Sequence, residues 1–148
     1  MDHEHSVLIV DDEEGILETL RLILERDGYR VITAQSCAEA LGFFEDGSKF
    51  DAVITDLNME REDVGLEVAR AATELRPKPA IVILTGFANM SNTRAALEIG
   101  VDYIANKPLA VKELTSILHR LIPNRREPGN RDDGSNRYTR VKCERPDA

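Results

Sequence analysis

The chain has little cysteine, no tryptophan and no long apolar run. Its two cysteines, Cys37 and Cys143, lie far apart and form no CxxC pattern, which argues against a zinc site or a disulfide framework. No apolar stretch approaches the roughly 20 residues that a membrane-spanning helix needs. The N-terminal residues also lack the basic and apolar regions of a signal peptide. We therefore expect a cytoplasmic protein with no membrane partner.

Positive charge is scarce as well. The chain has 27 acidic residues against 19 lysines and arginines, and its formal net charge is -8. An acidic chain is a poor candidate for binding nucleic acid through its overall field, so we expect no direct nucleic-acid partner. The apolar share of 42% is enough for a core, and 148 residues fit one domain with a tail.

Short apolar runs alternate with amphipathic helical patterns as far as residue 122. The runs predict strands at residues 7–10, 30–34, 52–55, 80–84 and 103–106. A helical pattern follows each run, which predicts an α/β domain with helices on both faces of a parallel sheet. Right-handed crossovers permit few topologies. We predict a flavodoxin-like five-stranded sheet in the order 2-1-3-4-5.

Sequence signals also predict where several helices begin and end. Ser36 has the form of an N-cap for the second helix, and Gly28 is expected to stop the first. The third helix is expected over residues 65–75. Ser91 or Asn92 is expected to cap the fourth helix, and Gly100 to end it.

The two ends of the chain carry less pattern. Residues 123–148 are polar and arginine-rich without apolar periodicity, so we expect a domain over residues 1–122 and a flexible polar tail with no output domain. His3 and His5 precede the first strand without ligand-like spacing, and solvent exposure is the expected state of both.

Polar residues follow four of the predicted strands at the points where those strands end. They are Asp11 and Asp12, Asp56, Thr85 with Gly86, and Lys107 with Pro108. Parallel strands bring their carboxyl ends to one edge, where open α/β sheets bind ligands. Three carboxylates this close require a cation, and Mg²⁺ is the expected one because it prefers carboxylate and phosphate oxygens.

Asp56 is the candidate nucleophile of this edge. An aspartate can attack phosphorus to form an aspartyl phosphate, a reaction that depends on positioning and on charge neutralisation. Lys107 offers a mobile point charge for one phosphoryl oxygen, and the Thr85 hydroxyl can donate to another. Gly86 has no side chain and would leave room for the incoming group.

These motifs resemble the receiver domain of two-component signalling, the phosphoacceptor module of response regulators. The resemblance covers about residues 5–122 and depends on Val10-Asp11-Asp12-Glu13, Thr55-Asp56-Leu57-Asn58-Met59, Leu84-Thr85-Gly86 and Lys107-Pro108. It implies that Asp56 is phosphorylated and that Thr85 and Lys107 bind the phosphoryl group. It further implies that the carboxylates of Asp11, Asp12 and Asp56 and the backbone carbonyl of Asn58 hold Mg²⁺. The Lys107–Pro108 bond is expected to be cis on the same ground.

The resemblance also implies the partners. A sensor histidine kinase or a histidine phosphotransfer protein would exchange phosphate with the domain, and a downstream protein would bind its switched face. A homodimer is compatible with the family. The domain would be a switch rather than an enzyme, with at most slow self-dephosphorylation.

Two departures from the family pattern leave an alternative open. Glu60 stands where the family usually has proline, in a loop that is one residue longer than usual. Ile104 stands where the family usually has tyrosine or phenylalanine, and an isoleucine cannot act as the same aromatic switch. The alternative is a constitutive receiver-like interaction module with a vestigial site. A phosphatase is disfavoured because the acids Asp11 and Asp12 are adjacent rather than two residues apart.

Overall fold

The computed structural model describes residues 4–122, which form five strands, each followed by a helix. The strands are β1 (Ser6–Val10), β2 (Arg30–Ala34), β3 (Ala52–Asp56), β4 (Ala80–Thr85) and β5 (Tyr103–Asn106). The helices are α1 (Glu14–Arg26), α2 (Cys37–Glu45), α3 (Gly65–Ala72), α4 (Met90–Ile99) and α5 (Val111–Leu121). Residues 123–148, the predicted tail, lie outside the described residues, as do His3 and Cys143.

The five strands form one parallel sheet in the order β2-β1-β3-β4-β5, which confirms the predicted fold. All five predicted strands are present. β1 begins one residue earlier than predicted, and β3 and β4 each end one residue later. The later ends place Asp56 and Thr85 within their strands, so the ladder of backbone hydrogen bonds helps to position both residues.

The continuous apolarity of β1 reflects burial on both faces of the sheet. Leu8 and Val10 contribute to the core cluster that also contains residues of α2, α3 and α4. Val7 and Ile9 contribute to the other cluster, with residues of α1 and α5. Alternate residues of a strand point to opposite faces, so one apolar run supplies both cores. The helices therefore lie on both sides of the sheet.

Helix termini follow the sequence signals with two corrections. The Ser36 hydroxyl accepts a hydrogen bond from the Glu39 N–H, so the predicted cap of α2 is confirmed. Gly28 and Gly100 have φ angles of 96° and 103°, values that favour glycine where a helix ends. The third helix ends at Ala72, earlier than the predicted residue 75.

The predicted cap of α4 was wrong. Asn89 is the N-cap, and its side chain accepts a hydrogen bond from the Asn92 N–H. The Asn92 side chain accepts one in return from the Asn89 N–H, at 3.0 Å. This reciprocal capping box satisfies two backbone donors and fixes the start of the helix two residues before Asn92.

The expected exposure of His5 was also wrong. His5 is only 9% exposed, and its Nδ1 lies 3.5 Å from Oδ2 of Asp51. The Asp51 carboxylate also accepts a hydrogen bond from the Ser6 N–H. His5 is buried because it directly precedes β1 and packs beside this carboxylate. No helix within residues 4–122 is both long enough and apolar enough to cross a membrane.

Candidate functional site

The sheet topology brings the three predicted carboxylates together. β1 and β3 are neighbours in the sheet, and Asp11 and Asp12 follow β1 while Asp56 ends β3. One carboxylate oxygen from each of these residues lies within 4.8 Å of the other two. Asp11 is 1% exposed and Asp56 is 8% exposed, whereas Asp12 is exposed. The cluster is therefore buried at Asp11 and Asp56 and open to solvent at Asp12.

Lys107 enters this cluster from the end of β5. Its Nζ lies 3.1 Å from Oδ1 of Asp56 and 3.3 Å from Oδ2 of Asp11. The Lys107 backbone N–H donates to the carbonyl of Thr85 at 2.8 Å, and the Lys107–Pro108 peptide bond is cis. One ammonium group thus bridges the two buried carboxylates.

Burial and the charges of this bridge shift the pKa values of Asp56 and Lys107. Burial raises the pKa of Asp56 above its ordinary value, and the Asp11 charge adds to the rise, while Lys107 opposes it. Burial lowers the pKa of Lys107, but its hydrogen bonds and charge interactions with Asp56 and Asp11 outweigh burial and raise that pKa overall. The lysine is therefore held in its charged form between the two carboxylates.

Thr85 and Gly86 lie where β4 leaves the sheet. Leu84 is the β4 partner of Asp56, so Thr85 is the next residue along the same edge. Thr85 is 1% exposed, and its hydroxyl accepts a hydrogen bond from the Phe87 N–H at 3.0 Å. A Cβ placed on Gly86 would meet no atom within 4 Å. The space predicted beside Gly86 is therefore present.

The loop between β3 and α3 closes on itself after Asp56. The Asn58 side-chain oxygen accepts a hydrogen bond from the Asp63 N–H at 2.6 Å, and Asp63 has a φ of 60°. At the base of the loop the Gly65 N–H donates to the Leu57 carbonyl at 2.7 Å. A Cβ on Gly65 would lie 2.1 Å from the Asp56 carbonyl oxygen, so only glycine fits there without a backbone shift. Sequence reasoning used Gly65 as a helix start and missed this close approach.

The donor set fits a divalent cation of the hard class. Three carboxylates converge, and the single ammonium of Lys107 offsets only part of their charge. Within residues 4–122 the Asn58 backbone carbonyl accepts no hydrogen bond, which leaves its oxygen for a ligand. Carboxylate and carbonyl oxygens with an open side are what Mg²⁺ uses, because it retains several waters.

The chain matches the family model of the response regulator receiver domain over residues 7–119. The chain belongs to this family. It is 36% identical over 115 residues to the photosynthetic apparatus regulatory protein RegA of Cereibacter sphaeroides, a match that covers 78% of this chain and 61% of RegA. It is equally similar over 116 residues to the response regulator MprA of a Mycobacterium species, covering 78% of this chain and 50% of MprA. The chain thus spans less than two thirds of the length of these relatives.

Solved receiver domains share the fold of this one. A CheY-like receiver domain protein from Methanospirillum hungatei is 31% identical, with a TM-score of 0.74 over 80% of this chain and 94% of the other. The response regulator TrrA of Thermotoga maritima, solved in complex with Mg²⁺ and BeF, is also 31% identical. Its TM-score is 0.69, over 79% of this chain and 98% of TrrA.

Ile104 occupies the position where the family usually has an aromatic residue, and the neighbouring Tyr103 does not take over that role. Ile104 packs against the core cluster on the side of α2, α3 and α4. Tyr103 packs against the opposite cluster, on the side of α1 and α5. Successive residues of a strand face opposite sides of the sheet, so the ring of Tyr103 lies on the wrong side to act in place of Ile104.

Proposed function

We propose that this receiver domain is a phosphorylation-controlled switch in which Asp56 accepts a phosphoryl group from a histidine kinase or a histidine phosphotransfer protein. The observation that carries the proposal is the convergence of Asp11, Asp12 and Asp56 on the ammonium of Lys107. The domain acts as a switch and not as an enzyme with steady turnover. Loss of phosphate by the domain itself is at most slow.

The transfer makes one bond and breaks another. A carboxylate oxygen of Asp56 attacks the phosphorus of a phosphohistidine, and the phosphorus–nitrogen bond breaks with its electron pair passing to the imidazole, which takes up a proton. Lys107, 3.1 Å from Asp56, is placed to neutralise an oxygen of the arriving group. Asp11, Asp12, Asp56 and the Asn58 carbonyl would hold Mg²⁺, which supplies charge neutralisation for phosphoryl transfer when bound.

The output follows from the position of Thr85 at the end of β4. Its hydroxyl oxygen accepts from the Phe87 N–H and keeps its own hydrogen to donate, and we propose that donation to a phosphoryl oxygen moves this side chain. The loop that begins beside it leads to exposed Phe87 and Met90. A change at Thr85 would therefore reach the face of α4, β5 and α5, which we propose as the surface that binds a downstream protein.

Intact-mass measurement with acetyl phosphate or phosphoramidate and Mg²⁺ tests the proposal. We expect the addition of one phosphoryl group, its loss in Asp56→Ala, and its loss when Mg²⁺ is chelated. Asp46→Ala is the matched control, because Asp46 is an exposed acid beyond α2 and should leave labelling intact. If Asp56→Ala is still labelled, or if neither a small donor nor a kinase labels the wild type, the proposal is wrong.

Ile104 favours a second candidate, a constitutive interaction module with a vestigial site. Without an aromatic ring at this position, one route from the phosphorylated aspartate to the outer face is missing. Partner binding separates the two candidates. A switch requires that Asp56→Asn lose the response of partner affinity to phosphoryl donors, whereas a constitutive module binds its partner equally with and without the substitution.

A further inference from the structure

Glu60 links the loop after Asp56 to a different part of the molecule. It lies between β3 and α3, and its Oε2 is 3.1 Å from the backbone nitrogen of Cys37, the first residue of α2. The two residues are 23 positions apart in the chain. The contact is therefore a tertiary link from the loop to the neighbouring helix.

The bond serves a helix end that requires acceptors. The first N–H groups of a helix have no partner within the helix. At α2 the Ser36 hydroxyl accepts a hydrogen bond from the Glu39 N–H, and the Glu60 carboxylate accepts one from the Cys37 N–H. A carboxylate at a helix N-terminus also gains from the helix dipole, and a charge-assisted hydrogen bond is stronger than a neutral one.

The same bond restrains the loop that carries Asn58. The loop is closed at its base by the Gly65 N–H and the Leu57 carbonyl, and Glu60 fastens its outer part to α2. Asn58 is two residues before Glu60, a separation that extended chain spans in at most about 7 Å. Fixing Glu60 therefore narrows the orientations open to the Asn58 carbonyl.

We propose that Glu60 is a positioning residue that orients the Asn58 carbonyl for cation binding by holding the β3–α3 loop against the N-terminus of α2. This inference rests on the proposed function, since it concerns the same cation site. It assigns a role to the residue at the position where the family usually has proline. Proline restricts the backbone through its ring, whereas Glu60 restrains the loop by a bond to another element.

Three variants test the role of Glu60. Glu60→Ala removes the acceptor, and Glu60→Gln keeps an oxygen acceptor without the charge. Glu62→Ala is the matched control, because it removes a negative charge from an exposed residue of the same loop that has no hydrogen bond within residues 4–122. Titration calorimetry with Mg²⁺ alone gives the cation affinity, and amide hydrogen exchange of Cys37 reports directly on the bond to α2.

We expect Glu60→Ala to weaken Mg²⁺ binding about 10-fold, at the lower end of the range for residues that orient metal ligands. The Cys37 amide should exchange faster in this variant. Glu60→Gln should recover most of the affinity, and Glu62→Ala should bind as the wild type does. The phosphorylation rate of Glu60→Ala should fall at low Mg²⁺ and return to the wild-type rate at saturating Mg²⁺, which a general loss of folding would not produce.

Equal Mg²⁺ affinity in Glu60→Ala and the wild type would overturn the inference. An equal loss in Glu62→Ala would also overturn it, because the effect would then be one of loop charge. If the wild type binds no Mg²⁺, both the inference and the cation part of the proposed function are wrong. If Mg²⁺ affinity falls only in Glu60→Ala while Asp56 accepts no phosphate, the inference stands and the proposed function fails.

Discussion

Two loops leave the carboxyl edge of the sheet beside the acidic cluster, and they are held very differently. The β3–α3 loop is bonded at its base, between Gly65 and Leu57, and fastened to α2 through Glu60. The β4–α4 loop is held by the Thr85 hydroxyl, which accepts from the Phe87 N–H. It also exposes Phe87 by 74% and leads to Met90, which is 80% exposed.

If Asp56 is phosphorylated as we propose, this difference would separate the loop that helps to receive the phosphoryl group from the loop that responds to it. Cation ligands and a nucleophilic aspartate gain from a restrained loop, because a small misplacement of the reacting groups slows phosphoryl transfer. A surface that changes partner affinity requires two arrangements of similar free energy. In this receiver domain the restrained loop adjoins Asp56, and the loop with exposed apolar side chains adjoins Thr85.

Paired glycine substitutions test this difference with the largest expected effect. Gly65→Ala places a Cβ 2.1 Å from the Asp56 carbonyl oxygen, so the backbone must shift, and we expect a loss of about 3 kcal/mol in the free energy of unfolding. Gly86→Ala meets no atom within 4 Å and should change stability by less than about 0.5 kcal/mol. Urea unfolding followed by circular dichroism measures both. Equal effects of the two substitutions would remove the contrast between the loops.

Lys107 contacts Asp56, which precedes the restrained loop, and its backbone bonds to Thr85, which precedes the other loop. Replacing Lys107 should have the next largest effect on stability. Lys107→Met keeps most of the side-chain volume but leaves the buried carboxylates of Asp11 and Asp56 without their shared ammonium. We expect a loss of about 2 kcal/mol in the free energy of unfolding when divalent cations are chelated, because hydrogen bonds to charged groups are lost. Added Mg²⁺ should stabilise this variant more than the wild type, since a cation that binds the folded state shifts the unfolding equilibrium.

Lys112→Met is the control for that substitution, because Lys112 is exposed in the first turn of α5. It should be as stable as the wild type in chelator and respond to Mg²⁺ in the same way. Insensitivity of Lys107→Met to chelation would contradict the electrostatic account of the bridge.

Removing the N-cap of α4 should have the smallest effect on stability, and the effect should be confined to that helix. Asn89→Ala removes one half of the capping box with Asn92 and should cost about 1 kcal/mol. Amide hydrogen exchange should increase in the first turn of α4 while α3 stays protected, because α3 has no side-chain cap to lose. Uniform loss of protection across both helices would show that the two loops are not independent.

The sequence predicted the sheet because its signals are local. Each buried strand is a run of apolar residues, and right-handed crossovers leave few strand orders, of which the flavodoxin-like order suits five βα units. The convergence of Asp11, Asp56 and Lys107 followed from the same topology, since residues that end parallel strands share one edge. The resemblance to receiver domains then named the family, and the family match confirmed that membership.

Features that depend on contacts between distant residues could not be predicted in this way. The contact of Glu60 with Cys37 crosses 23 positions of the chain and leaves no periodic signal. His5 is buried beside Asp51, and two strands and two helices separate these residues in the sequence. The start of α4 was misplaced for a local reason, because three residues between 89 and 92 can all act as caps and only the reciprocal pair decides among them.

The bridging lysine has a consequence for how the domain comes together. Lys107 and Asp11 are 96 positions apart, and the lysine follows β5, which is at the border of the sheet. A fragment that ends before β5 would retain every carboxylate of the site but lack the ammonium that offsets part of their negative charge. If Asp56 accepts a phosphoryl group as we propose, such a fragment would repel that group, and phosphorylation would begin only once the outermost strand has docked.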